Sequence, residues 1–153
     1  MEEGNCIEHS YVLVPATISD INVVHEWQSQ PHTRRYAINP QVPTWDEHAS
    51  WFSKKIKSKK DYIYIIKNKY DDNACGVFRM DYSKPNEYIV SIYIAAEHLG
   101  AGIATSVLDL VNHKFPKMRL KATILSGNSA SLRLFTKAGY QQVAPDTFIR
   151  EPL

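Results

Sequence analysis

The chain has 153 residues, 44% of them hydrophobic and 22% charged, the proportions of an ordinary globular protein rather than a disordered one. That length suits one domain, residues 1–153, with a core large enough to fold without disulfides or metals. A formal net charge of +2 is too small to imply a nucleic-acid partner, and no run approaches the roughly 20 apolar residues that span a bilayer.

The opening Met1-Glu2-Glu3-Gly4-Asn5 is acidic and polar, unlike a secretion signal, and implies a cytoplasmic protein. Cys6 and Cys75 form no CxxC and no zinc spacing with histidine, so neither a disulfide nor a metal is expected. The basic run Lys54-Lys55-Ile56-Lys57-Ser58-Lys59-Lys60 follows an amphipathic segment, where cations suit a helix C-terminus and a solvated face.

In chain order, Tyr11-Val12-Leu13-Val14 predicts a first strand. Thr17-Ile18-Ser19-Asp20 resembles a capping box that opens a helix bearing Ile21, Val24 and Trp27, and Gln30-Pro31 is expected to end it. A polar connection over residues 32–42 carries Arg34, Arg35, Tyr36 and Asn39. Thr44-Trp45-Asp46-Glu47 is a second capping box, and Trp45, Ala49, Phe52 and Ile56 form one helical stripe after it. The period then shortens. β-Branched and aromatic runs over residues 62–66, 76–82 and 88–94, separated by Asp71-Asp72-Asn73 and Lys84-Pro85-Asn86, predict an antiparallel meander.

Beyond residue 94 the rhythm changes again. Ile103, Val107, Leu110 and Val111 predict a helix over about residues 101–114, and Leu120, Ala122 and Ile124 a strand. Strand, helix, strand is a crossover, so the strand ending at Ile94 is expected to lie parallel to the one through Ala122. A further helix starts near Asn128, and residues 143–148 suggest a closing hairpin. The expected fold class is α/β of the α+β type: a mixed, mostly antiparallel sheet of six to seven strands with about four helices on its faces.

The segment His98-Leu99-Gly100-Ala101-Gly102-Ile103-Ala104 sits where a strand gives way to a helix. The first amides of a helix lack intrahelical partners and point where the dipole is positive. Glycine there lets an anion approach the backbone, so the segment is a candidate phosphate cradle. No Gly-Lys-Ser/Thr follows, which excludes a Walker loop, and the glycines are misplaced for a dinucleotide fingerprint.

This run resembles the acetyl-CoA loop of the GNAT superfamily, Arg/Gln-x-x-Gly-x-Gly/Ala after a strand. Gly102 and Ala104 match its small positions, and Leu99 replaces the usual Arg or Gln. Asn128-Ser129-Ala130-Ser131-Leu132-Arg133-Leu134-Phe135-Thr136-Lys137-Ala138-Gly139-Tyr140 resembles the family's later Asn-x-x-Ser/Ala-x-x-Leu-Tyr/Phe-x-Lys-x-Gly-Phe/Tyr motif. Here Asn128 suits a helix N-cap, Gly139 a C-cap, and Leu132 with Phe135 an apolar face. The likeness extends over about residues 11–150.

The resemblance implies a GNAT fold with a splayed parallel pair, and acetyl-CoA as cosubstrate. Ile92, Tyr93 and Ile94 would bind pantetheine and present an amide to the thioester carbonyl. Gly100, Ala101, Gly102, Ile103, Ala104 and Thr105 would bind pyrophosphate, with Asn128, Ser131 and Phe135 on the cofactor's other side. Many relatives carry tyrosine at the position of Phe135 as the acid for the thiolate, and phenylalanine cannot donate a proton.

For catalysis, Glu87, Ile89, Ser91 and Tyr93 share one face of the strand before the loop. Glu87 is the candidate base, His48 is the alternative, and Tyr93 stands with them as a catalytic candidate. His9, His25, His32 and His113 show no partnering pattern. Glu47-His48-Ala49-Ser50-Trp51-Phe52 resembles the stretch of GNAT members that acetylate nucleotide-linked amino sugars of the pseudaminic and legionaminic types. The expected function is acetyl transfer to the primary amine of such a small molecule, in a monomer or homodimer. The alternatives are a protein N-terminal or ribosomal-protein acetyltransferase, against which Thr123 speaks, and a non-catalytic CoA-binding module.

Overall fold

A computed structural model of the chain describes residues 9–153. Its single sheet has seven strands in the order β1-β2-β3-β4-β5-β7-β6. These are β1 (Tyr11–Pro15), β2 (Tyr62–Asn68), β3 (Ala74–Lys84), β4 (Glu87–Ile94), β5 (Arg119–Thr123), β6 (Gln141–Ala144) and β7 (Thr147–Arg150). The helices are α1 (Ile21–Gln28), α2 (Pro31–Arg35), α3 (Trp45–Lys57), α4 (Ile103–Lys114) and α5 (Ser129–Lys137). The meander β2-β3-β4 is antiparallel throughout, and β4 lies parallel to β5 as the crossover requires.

Both faces of the sheet are covered, and residues along β2 divide between them. Ile63 and Ile65 meet Val24, Trp27 and Phe52 from α1 and α3. Tyr64 and Ile66 turn to the other face, where Val107, Leu108 and Val111 of α4 and Phe135 of α5 close the larger core. Strands buried on both faces lose the polar alternation that marks a half-exposed strand. Arg150 is buried at the end of β7, where it donates to Asn112 Oδ1 at 2.7 Å and to the carbonyls of Phe115 and Met118. A cation so placed satisfies orphan carbonyls just beyond the C-terminus of α4.

Three local readings change. Pro31 does not merely end α1: it opens α2, because its fixed φ and missing N–H suit the first helical position. The predicted stripe of α3 is rotated, its buried residues being His48 and Phe52, whereas Trp45 is exposed. Leu132, expected on the apolar face of α5, is exposed as well. The Thr44 capping box forms as expected, with Glu47 N–H donating to Thr44 Oγ1 at 3.2 Å and Thr44 N–H to the Glu47 carboxylate at 2.9 Å.

Gly76 lets β3 lie close against the end of β4. A Cβ there would stand 2.6 Å from the Tyr93 carbonyl oxygen and 3.0 Å from Ile94 Cδ1. We expect Gly76→Ala to cost about 1–3 kcal/mol in urea denaturation, the usual range for overpacking. Cofactor affinity should fall with it, because the displaced strand is the one that borders the cleft.

Candidate active site

The β4–β5 ladder covers only Glu87↔Arg119, Tyr88↔Leu120 and Ile89↔Lys121. From residue 90 onward the two strands part. Ala95 N–H donates to the Cys75 carbonyl at 2.8 Å, in phase with the β3–β4 register. Alternation therefore turns the N–H and C=O groups of Val90, Ile92 and Ile94 toward the gap left by β5. Tyr93, paired with Val77, directs its backbone toward β3 instead. Of the three residues expected to meet pantetheine, Ile92 has both backbone groups on the open edge, Ile94 has its N–H there with its carbonyl taken by side chains described below, and Tyr93 offers only its side chain.

Above this edge stands the cradle. Gly100 and Gly102 have φ of 85° and 75°, and nothing lies within 4 Å of a Cβ built at either. Gly102 is the N-cap of α4 in a left-handed conformation, and the first amide of the helix to bond back is that of Ser106. The N–H groups of Ile103, Ala104 and Thr105 therefore point outward at the positive end of α4. Ile103 has its side chain in the core and contributes backbone alone. Along the same helix, Thr105 borders a cavity of about 320 Å³ between α4 and α5, shared with Ser106, Asn112, Leu134 and Lys137.

Across the gap, Asn128 caps α5 by accepting from Ser131 N–H at 3.2 Å. Phe135 is 5% exposed and packs edge-to-face on Tyr140 at 5.0 Å, so it belongs mainly to the core. Tyr140 does not replace the missing acid. Its hydroxyl is buried with no hydrogen-bond partner among the described residues, and burial pushes its pKa far up.

The catalytic candidates do not assemble as expected. Glu87 lies at the closed end of the β4–β5 pair, about 23 Å of strand away from Ile94 at ~3.3 Å per residue. Its carboxylate accepts from Ser83 Oγ at 2.8 Å and from Arg119 at 2.7 Å, and Lys121 stands 3.8 Å away. The Ser83 hydroxyl, then Arg119 and the nearby lysines, hold its carboxyl below the usual range against the opposing effect of burial. A carboxylate so bound is a sheet anchor and a poor base. It favours the folded state above its ordinary pKa, and the contribution is lost as pH falls through the lowered folded value. We expect wild-type stability to drop on acidification below about pH 4.3, and that part of the slope to vanish in Glu87→Gln, as read by thermal melts across pH 3–6.

His48 is packed inside the α1–α3 core. It is 1% exposed, stacks on Phe52 at 5.5 Å and donates from Nε2 to the Ile21 carbonyl at 2.8 Å. Burial lowers its pKa, which keeps it neutral in the α1–α3 core.

A different group occupies the mouth of the cleft. His32 Nε2 lies 3.0 Å from the Ile94 carbonyl oxygen, which also accepts from Gln30 Nε2 at 3.4 Å. Gln30 Oε1 in turn accepts from Ala96 N–H at 2.8 Å. A carbonyl only accepts, so His32 donates from Nε2, and the neutral imidazole then carries its lone pair on Nδ1. Neither residue stands out in the sequence, because the geometry that aims them depends on α2. His9 and His113, also without an evident pairing in sequence, meet around Asp109.

Beside the cleft, on the α1–α3 face, lies a polar wall. The buried Tyr93 hydroxyl lies within electrostatic reach of the Arg79 and Arg34 guanidiniums, though burial raises its pKa overall. Arg79 pairs with Asp81 at 3.1 Å and lies over the Trp51 ring at 4.9 Å. Lys55 bridges Asp81 and Asp61 at 3.0 and 3.5 Å. Arg34 donates to the Asn39 and Gln41 carbonyls at 2.9 and 3.1 Å. Its Nε is buried and, with Gln28 Oε1, Thr33 Oγ1 and the Tyr93 hydroxyl, has no hydrogen-bond partner among the described residues.

A mixed sheet whose parallel pair opens beside a glycine-capped helix is the scaffold of an acetyltransferase. The chain belongs to the acetyltransferase (GNAT) domain family, which matches residues 11–141, and is therefore an acetyl-CoA-dependent N-acetyltransferase. No curated protein matches it in sequence. Among solved structures it is similar to the spermidine N-acetyltransferase of Vibrio cholerae in complex with CoA and spermine, at 14% identity over 92% of each chain with a TM-score of 0.78. It is also similar to AAC(6')-Ib in complex with ribostamycin and coenzyme A, at 15% identity over 93% of each chain with a TM-score of 0.79. At such identities the likeness is one of fold. Among the described residues no helix is long and apolar enough to cross a membrane.

Proposed function

We propose that the chain transfers an acetyl group from acetyl-CoA to the primary amine of a small molecule that also bears an anionic group, such as a nucleotide-linked amino sugar. Pantetheine lies along the open edge at Ile92 and the Ile94 N–H, with the Ile92 amide on the thioester carbonyl. The N–H groups of residues 102–105 bind the pyrophosphate, with Gly100 and Ala101 admitting it and Asn128 and Ser131 flanking the cofactor. Amine attack builds negative charge on the thioester oxygen, where a fixed amide stabilises it. His32 Nδ1 takes the amine proton. CoA thiolate leaves and is protonated by water, since thiols have pKa values near 8–9.

The observation that carries the acceptor class is the unpaired Arg34 Nε beside Arg79 and Tyr93. A buried donor on a cation with no carboxylate partner among the described residues suits a phosphate or carboxylate oxygen of the acceptor. Polyamines and aminoglycosides, the ligands of the two neighbours, are polycations and would meet repulsion there. Thiol release from acetyl-CoA should therefore be fast with a nucleotide-linked amino sugar and slow with spermine or kanamycin. Arg79→Ala should raise the acceptor KM about tenfold or more while leaving acetyl-CoA affinity unchanged. Faster turnover of the polycations would overturn the acceptor class. Release with a peptide amine alone would favour a protein acetyltransferase, and CoA binding without release under any acceptor a non-catalytic module. The free thiol Cys75, buried and with its pKa raised by burial to about 11, accords with a cytoplasmic setting.

A further inference from the structure

His9, just ahead of β1, reaches α4 where Asp109 and His113 sit one helical turn apart. His9 Nε2 is 2.8 Å from Asp109 Oδ2, and His113 Nδ1 is 3.8 Å from the same oxygen. The two imidazole rings meet edge-to-face at 5.6 Å, and one ligand atom from each of the three side chains lies within 4.8 Å of the others. The cluster lies toward the end of α4 opposite the cradle, and the cavity beside it also reaches Thr105. None of its members takes part in the transfer reaction described above.

We propose that His9, Asp109 and His113 form a binding site for a divalent transition ion of the zinc, cobalt and nickel class. The donor set decides the class. Two imidazoles and one carboxylate suit borderline metals, whereas magnesium and calcium demand oxygen ligands. Around a tetrahedral zinc with bonds of ~2.0–2.1 Å, ligand atoms stand roughly 3.3 Å apart. The Asp109 distances of 2.8 and 3.8 Å lie on either side of that figure, and all three ligand atoms fall within 4.8 Å, so side-chain rotations that move them by about 0.5–1.5 Å would admit the ion.

Two existing bonds open to make room. The His9–Asp109 contact loses its shared proton, and His113 Nδ1 gives up the 2.9 Å bond it donates to the Asp109 carbonyl. His113 is the most exposed of the three, with 58% of its side chain accessible, and swings at little cost. His9 and Asp109 also help to line the cavity of about 320 Å³ between α4 and α5, where a water that completes the ion's coordination would have Ser106 as a polar neighbour. Coordination would tie the chain ahead of β1 to the helix whose first turn cradles the cofactor.

The test uses the full-length chain stripped with chelator and titrated by calorimetry with Zn²⁺. Co²⁺ serves as a spectroscopic probe for the visible bands of a tetrahedral ion. One ion should bind per chain and raise the melting temperature with concentration, as ligands of the native state do. Affinity should fall by at least roughly tenfold in His9→Ala, Asp109→Asn and His113→Ala, the scale on which even outer partners of a ligand act. Circular dichroism confirms that each variant is folded, and the half-buried Asp109 and exposed His113 are surface positions suited to substitution. Absence of saturable binding in the wild type would overturn the proposal. So would unchanged affinity in the Asp109 or His113 variant, and retention in His9→Ala would mean that the helix pair alone holds the ion. These readouts are independent of turnover, so they succeed or fail separately from the proposed reaction.

Discussion

Gly102→Val should abolish measurable acetyl-CoA binding while leaving the fold intact. Two effects combine at this position. The residue is left-handed, with φ of 75°, a conformation that costs a side chain about 1–2 kcal/mol and a β-branched one more. The space beside it is also open, with nothing within 4 Å of where a Cβ would stand, which is the volume a diphosphate needs to reach the amides of residues 103–105. Calorimetry with CoA should show at least about a hundredfold loss, and the melting temperature should fall by several degrees. Gly102→Ala separates the causes, because it carries the strain with far less bulk and should retain part of the affinity. Unchanged binding in the valine variant would remove the cradle assignment.

The second large effect is at His32. As the proposed base it should contribute about a hundredfold or more to kcat, so His32→Ala should lower turnover on that scale with acetyl-CoA affinity almost unaltered. His32→Gln discriminates between roles. Its amide can still donate to the Ile94 carbonyl but has no basic lone pair. Loss of turnover in both variants supports proton transfer through the imidazole. Rescue by glutamine would reduce His32 to a positioning group and hand the proton to water.

Much of this fold is legible in the sequence alone. The meander, the crossover and the parallel pair follow from hydrophobic periods and from the rule that crossovers join parallel strands. The glycine turn is legible because its signal is local: glycine at a strand-to-helix junction leaves the first helical amides open to an anion. Catalytic geometry is not local. Glu87 shares a face with Tyr93 by strict alternation, yet alternation says nothing of distance along a strand, and the carboxylate lies at the wrong end. His48 looks available on a helix. The rotation of α3 that buries it depends on tertiary packing against α1, which outweighs a stripe drawn from spacing. His32 escapes a reading by pattern because Pro31 reads as a stop when it is a start, and without α2 nothing aims an imidazole at Ile94. Arg150 is a further case: at the end of a short strand it resembles surface charge, and only the fold gives it carbonyls to satisfy.

The clasp of Gln30 and His32 on the last residues of β4 ties two ligand berths to one piece of backbone. On the proposed reading, pantetheine would run along one side of that strand end and the amine would meet His32 of the short helix tied to it. Any tightening that one cosubstrate imposes on this hinge point must be returned by the other in equal measure. If occupancy of the thioester site tightens this contact, the acceptor would bind more firmly to the acetyl-CoA complex than to the free protein, and acetyl-CoA would gain from bound acceptor by the same factor.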